Sequence, residues 1–313
     1  MLAHLQRAAV AVFAVCALAG CGSATHSSGG GTGVELTYRA NPGLSRTKVT
    51  QGDLDRAAGI MRNRLAKLGA TGHVTVKPGS RTVVVRIDGV VSPREVQVLG
   101  TTADLAFYDL EPALVAPSIT TSGQPVAVRS LHALLSHTSK APARTVVVTC
   151  SAATAVVCPG DSVGVPPAGK TDYYLFKQGA YARDTYGPYP NLTGAEVNLS
   201  DTRQDLDPAT GAPIVLLSFK DRGNKAFARV TRNEARRGAV AREPQHFAIV
   251  LDNEIRSWPQ IDYRLYPNGI DPTGAGAQIT GIASLKEAQN LALVVQTGAL
   301  PIKLSLVSRR AIG

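Results

Sequence analysis

Ala8 to Leu18 is an unbroken apolar run of eleven residues, AAVAVFAVCAL, with Arg7 just ahead of it. A helix that crosses the hydrocarbon core of a bilayer needs about 20 apolar residues, so this run is too short and reads as the core of a secretory signal. No later stretch reaches about 18 apolar residues, and no membrane-spanning helix is expected after it. Together these features set the conditions of folding: the body of the chain is expected to fold in water, outside the cytoplasm, in an oxidising compartment. Of 313 residues, 44% are hydrophobic and 18% charged. That excludes disordered and collagen-like chains, and the length suggests about two domains.

The apolar run ends in Leu18-Ala19-Gly20-Cys21, which resembles the bacterial lipobox: an aliphatic residue, two small ones, then a cysteine that is lipidated and becomes the new N-terminus. Small residues suit a peptidase that closes around extended backbone. Cys16 fits less well, because Val15 precedes it where a small residue is wanted. The alternative is a plain secretory signal with a chance cysteine. Residues 1–20 are therefore expected to be a lipoprotein signal, Cys21 the lipidation site, and the Gly/Ser-rich residues 21–33 a flexible tether. GGGTG within it has no following Lys and no preceding strand, so it is not a phosphate loop.

With Cys21 acylated, Cys150 and Cys158 remain as a pair, and a disulfide between them is expected; two buried free thiols are the alternative. The formal charge of +10 permits an anionic partner. The basic residues are scattered with no run of five, so no nucleic acid is expected.

Residues 34–112 alternate strands and helices. Val34–Tyr38 alternates like a strand, and Thr50 with Asp53 forms a capping-box pattern ahead of Leu54, Ala57, Ala58, Met61, Leu65 and Leu68. Arg56, Arg62, Arg64 and Lys67 are expected on a solvated face. His73–Lys77 and Thr82–Ile87 read as paired strands, Ser92-Pro93 opens a helix, and Asp104–Leu110 alternates again. The order β-α-β-β-α-β predicts a ferredoxin-like α+β unit. Residues 113–190 read as an irregular insert, in which Tyr181, Tyr186 and Tyr189 are expected to pack on a neighbour. Residues 191–313 regain periodicity as a second unit of the same class. Asp221 is expected to cap a helix, His246–Leu251 and Ile255–Ile261 to form a hairpin at Asp252-Asn253, and Ser284 with Glu287 to cap the last helix. Lys303–Val307 is expected as its final strand.

An ordered set of residues in this second unit resembles the first periplasmic (P1) region of the SecD/SecDF protein-export subunit. The set runs Leu192-Thr193-Gly194, Asp207 to Gly211, Phe219, Ala226-Phe227, Ala248 to Asp252, Ile255, Ser257 and Pro259, Gln278 to Gly281, Glu287-Ala288, Leu291-Ala292 and Gly298 to Pro301. Gln51–Leu68 and Thr101–Leu110 match the base of that region more loosely. The resemblance implies an α+β fold with base and head subdomains. It further implies a head that captures unfolded or translocating polypeptide, with Sec translocon components as further partners. Trp258 stands where the family usually has Ala, and Gln296 where it usually has a basic residue. A tether replaces the family's first membrane helix, and the membrane helices thought to carry protons are not matched, so capture without proton-driven pulling is expected.

No enzyme, cofactor or metal is expected. Ser45-Arg46-Thr47-Lys48 matches S-x-x-K, but neither S-D-N nor K-T-G follows. His4, His26, His73, His132, His137 and His246 form no HExxH or Cys/His cluster. Asp252 and Glu254 are expected to be solvated beside their turn, and the sequons at Asn191 and Asn198 to be idle. The function expected is a lipid-anchored, non-catalytic polypeptide binder in export. The alternative is an envelope scaffold that binds a folded partner.

Overall fold

The computed structural model describes residues 32–42, 48–135, 142–151, 157–161, 170–271 and 276–313. The signal, Cys21, nearly all of the tether and the S-x-x-K serine lie outside the described residues. Gly33, expected in the tether, already pairs with Asp88 and Ile312 at the start of the first strand.

β1 (Gly33–Asn41) leads to α1 (Gln51–Lys67), which Thr50 and Asp53 start with a reciprocal capping box. β2 (Gly72–Lys77) and β3 (Thr82–Asp88) form a hairpin, and Ser92 with Glu95 caps α2 (Pro93–Gly100). β4 (Leu105–Asp109) runs into α3 (Leu110–Ala113), and α4 (His132–Leu135) precedes β5 (Thr145–Ser151) and β6 (Thr171–Lys177). β7 (Leu192–Thr193), β8 (Arg203–Leu206) and β9 (Pro213–Leu217) lead to the long α5 (Asp221–Ala241). β10 (Gln245–Leu251) and β11 (Glu254–Ser257) turn at Asp252 and Asn253, whose φ values of 54° and 61° are those of a tight hairpin turn. β12 (Gln260–Ile261), β13 (Ala277–Ile279), α6 (Leu285–Gln296) and β14 (Lys303–Ile312) complete the order.

The first sheet has the order β14-β1-β3-β2 with antiparallel neighbours throughout. The strand expected to complete it, Asp104–Leu110, is elsewhere; its place is filled by β14, the strand expected to end the second unit. The reason lies in burial. β4 is buried on both faces, Leu105 and Phe107 on one and Tyr108 on the other, so it belongs in the middle of a sheet covered on two sides. β14 brings Leu304 to the α1 side, beside Leu300 and Ile302.

The second sheet runs β6-β5-β11-β10-β4-β7, with β12 paired to β10, and a small third sheet runs β13-β9-β8. This unit is α+β, but its strand order is not that of a ferredoxin-like unit. Nor is the 113–190 segment an appendage. β5 joins β11 in parallel and β6 extends the sheet, adding Tyr174 and Phe176 to its second face, where Leu114 and Tyr189 pack against them. α5 and α6 cover the first face with Phe227, Ala288 and Val295.

Two local expectations change. α5 is capped at Lys220 without a side-chain bond, and Asp221 is its first helical residue, where a carboxylate favours the positive helix end. Arg64, expected in solvent, is fully buried. It lies seven residues after Ala57, two turns along the same line, and donates to the carbonyls of Val98, Leu99, Thr101 and Gly298 and to Thr297 Oγ1. Burial pulls its guanidinium down to about 10, still cationic at neutral pH.

Candidate functional site

The second half of α5 forms one wall of a cleft of about 1580 Å³. Asn233, Arg236, Arg237, Val240 and Ala241 come from the helix. Pro244 to His246 and Gln260 form the end of the sheet, Glu111 and Pro112 the next side, and the 119–124 turn and the 181–186 segment the far wall. α5 is long enough to build this wall because its buried line runs unbroken through Phe227, Val230, Glu234 and Gly238. Gly238 is needed there: a Cβ would sit 2.8 Å from the Glu243 carbonyl.

A charged layer lies beneath the cleft. Arg237 holds Asp109 with both guanidinium nitrogens, Nη1 at 2.8 Å from Oδ2, and lays its plane over the Tyr186 ring at 4.6 Å. Burial pushes the Asp109 carboxyl up to about 7, against the pull of Arg237. Glu234 is completely buried one turn away, and neither of its oxygens has a hydrogen-bond partner among the described residues. Burial first, and then the neighbouring Asp109 charge, hold Glu234 well above the ordinary carboxylate range. Glu111 accepts from the His246 backbone N–H at 3.2 Å and lies 2.7 Å from its Nδ1.

The far wall is built on Asp184. Lys177 Nζ reaches it at 2.6 Å, the Tyr186 N–H donates to it at 2.9 Å, and the buried Tyr189 hydroxyl donates to it at 3.1 Å. Lys177 also sits over the rings of Tyr181 and Tyr189, at 5.5 and 5.3 Å. Asn191, the first residue of a sequon, ties this wall to the sheet: it accepts from the Asp109 N–H and donates to the Tyr186 and Pro188 carbonyls.

Cys150 and Cys158 are joined by a disulfide with their Cα atoms 5.8 Å apart. It lies under the covered face, away from the cleft lining, and Trp258 leans on the same region. The indole Nε1 donates to the Val157 carbonyl at 2.7 Å, and the ring packs 4.6 Å from His246. Trp258 thus links the disulfide segment to the cleft floor. Cys158, Asp161 and Asp172 approach one another closely. The sulfur is spent in the disulfide and Lys170 reaches both carboxylates, while Asp161 Oδ2 is buried without a hydrogen-bond partner among the described residues. Asp252 accepts from the N–H groups of Ala103 and Asp104, and Glu254 pairs with Arg256; expected to be solvated, both are half-buried and partnered.

Sequence reasoning did not single out Asp109, Glu234 or Arg237. The signal for Glu234 was present, since it stands in line with Phe227 and Val230 on the apolar side of α5. Asp109 and Arg237 gave none, because 128 residues separate them.

Residues 182–302, which include most of the cleft, match the family profile described as SecDF, P1 head subdomain. Protein translocase subunit SecD of Acidaminococcus fermentans is 26% identical over 286 residues, 91% of this chain and 45% of the relative. That of Synechocystis sp. is 27% identical over 286 residues, 90% of this chain and 53% of the relative. The chain therefore spans about half the length of these relatives. A solved structure, described as a membrane component SecDF that enhances protein export, covers 89% of this chain and 100% of its own, with a TM-score of 0.52 at 24% identity. That likeness shows the fold. The chain carries a region like the P1 head subdomain of SecDF at residues 182–302, and resembles SecD along most of its length.

Proposed function

We propose that this protein captures unfolded or translocating polypeptide during export, without catalysing a reaction, while held by lipid on Cys21 at the outer face of a bacterial cell membrane. The observation that carries the reading is the cleft. At about 1580 Å³ it exceeds the range of about 300–1,000 Å³ usual for small-molecule pockets. Its walls offer tyrosine rings, aliphatic side chains and charges of both signs, a mixture suited to varied peptide segments rather than one compound. The cleft lies mostly within the P1-head-like region, and the relatives are named as translocase subunits, which supports a place in the Sec pathway and Sec components as partners. The attachment is assigned to lipid on the strength of the Leu18-Ala19-Gly20-Cys21 pattern; among the described residues no helix is long and apolar enough to cross a membrane.

Fluorescence anisotropy with a reduced, alkylated secretory protein tests the reading. Binding is expected for the unfolded chain and not for its native form. Ala182→Trp and Val240→Trp, which narrow the mouth, are expected to weaken it at least about tenfold, or about 1.4 kcal/mol, at unchanged melting temperature. Indifference to unfolded chains, with binding to one folded Sec component, would move the assignment to a scaffold.

A further inference from the structure

α5 turns a line of five cations to solvent. Arg222, Lys225, Arg229, Arg232 and Arg236 recur at spacings of three and four and are all exposed. Helix geometry places them within an arc of about 80° and along about 21 Å of axis. The opposite side of the helix is buried against the sheet. None of the five is in an ion pair among the described residues, whereas Arg237, one step round the helix, holds Asp109. Like charges three and four residues apart repel and weaken a helix. Among the described residues the Glu196 carboxylate feels the charge of Arg222 at one end of the line; Lys225, Arg229, Arg232 and Arg236 are in no ion pair there.

Apolar side chains flank the line and are fixed in place. Val240 falls five turns after Arg222 on the same line and is 87% exposed. The loop after β12 carries Leu265 and Tyr266, 72% and 44% exposed. That loop is held against the stripe: Arg232 Nε donates to the Asn268 carbonyl at 3.3 Å, and the Gly269 backbone lies so close that a Cβ there would be 2.5 Å from the Arg232 nitrogen.

We infer that this face of α5 docks the protein onto an anionic lipid surface, its cations on headgroup phosphates and Leu265 and Tyr266 entering the interfacial layer. A straight row of like charges with apolar groups beside it matches a plane of repeated anions above an apolar layer. An acidic protein surface would answer the charges and leave the apolar residues unused. Arg236 and Val240 also line the cleft, so the cleft opens beside the docked face; vesicle binding is read without any polypeptide and is decided separately from capture.

The test is cosedimentation of the mature chain, residues 21–313 with Cys21→Ser so that no acyl chain contributes, with vesicles of phosphatidylcholine or phosphatidylglycerol. Binding to phosphatidylglycerol alone, lost as salt is raised, is expected. Each cation near such a surface contributes about fivefold to partitioning, so Arg229→Glu, Arg232→Glu and Arg236→Glu together should lower it about a hundredfold or more. Leu265→Ser with Tyr266→Ser should lower it several-fold without altering melting. If the triple reversal unfolds the protein, Arg229→Gln with Arg236→Gln reads the same dependence. Absence of binding to phosphatidylglycerol overturns the inference. So does equal binding by the charge variants, or retention on polyglutamate or an oligonucleotide with vesicles ignored.

Discussion

Arg64 Nε donates to Thr297 Oγ1 at 3.1 Å across 233 residues of sequence. The contact is one of five that Arg64 makes to the two segments linking the first sheet to the second, 98–101 at the end of α2 and 297–298 before β14. One buried side chain therefore fixes both crossings. Arg64→Leu is expected to destabilise the protein by at least about 3 kcal/mol, because it strands several buried acceptors at once. Arg64→Lys should restore only part, having three donors in place of a planar fork of five. Urea denaturation of the three proteins checks this; a wild-type midpoint for Arg64→Leu would refute the role.

The Cys150–Cys158 disulfide closes a short loop and should contribute about 2–3 kcal/mol in the chain-entropy account. Trp258 is the sole tryptophan and donates to Val157, next to Cys158. Reduction, or Cys150→Ser with Cys158→Ser, is therefore expected to lower stability and to shift tryptophan emission to the red at temperatures where the fold persists. Emission that ignores the redox state would contradict the Trp258–Val157 contact.

Asp109 and Glu234 both hold their protons more tightly in the fold than in the unfolded chain. Between their ordinary range near 4 and about 7, the native state carries more protons than the unfolded state. Stability from this source is complete at the acid end of that window and is lost as pH rises through it, by up to about 1.4 kcal/mol per pH unit for each proton. Glu234→Gln keeps the shape and removes one such proton, so it is expected to flatten the slope and to stabilise the protein at the alkaline end. Chemical denaturation across that range reads both effects, and an unchanged slope would show that Glu234 is not held protonated.

Arg237→Met leaves the buried Asp109 without its cation, a change that typically costs about 3–5 kcal/mol. The loss should be smaller in acid, where Asp109 takes up its proton, and Asp109→Asn in the same chain should recover part of it. Equal losses at both ends of the pH range would mean that the pair is not an ion pair in solution.

What could be read in the sequence followed from local physics. Thr50 with Asp53, Ser92 with Pro93, and the Asp252-Asn253 turn are set by neighbours within a few residues, and each stands where its pattern places it. Membership of sheets did not follow. β4 and β14 both alternate, and only the second covered face, supplied by the 113–190 segment, decides that β4 goes inside one sheet, between β10 and β7, and β14 to the edge of another. Arg64 was misplaced because a charged residue at the margin of an apolar stripe is usually solvated, and its acceptors are backbone carbonyls that no side-chain pattern announces. The cleft was illegible for a related reason: its walls come from five stretches between residues 111 and 260, and Arg237 meets Asp109 across most of that distance.

Polypeptide capture by the cleft is tested most directly in living cells, by photo-crosslinking from probes at Gln124, Thr185 and Val240 with the captured proteins identified by mass. The proposed function predicts many different secreted chains at all three cleft positions, and few from a probe at the exposed Lys77 on the far sheet. A single folded partner, or no adduct at the cleft, would contradict it.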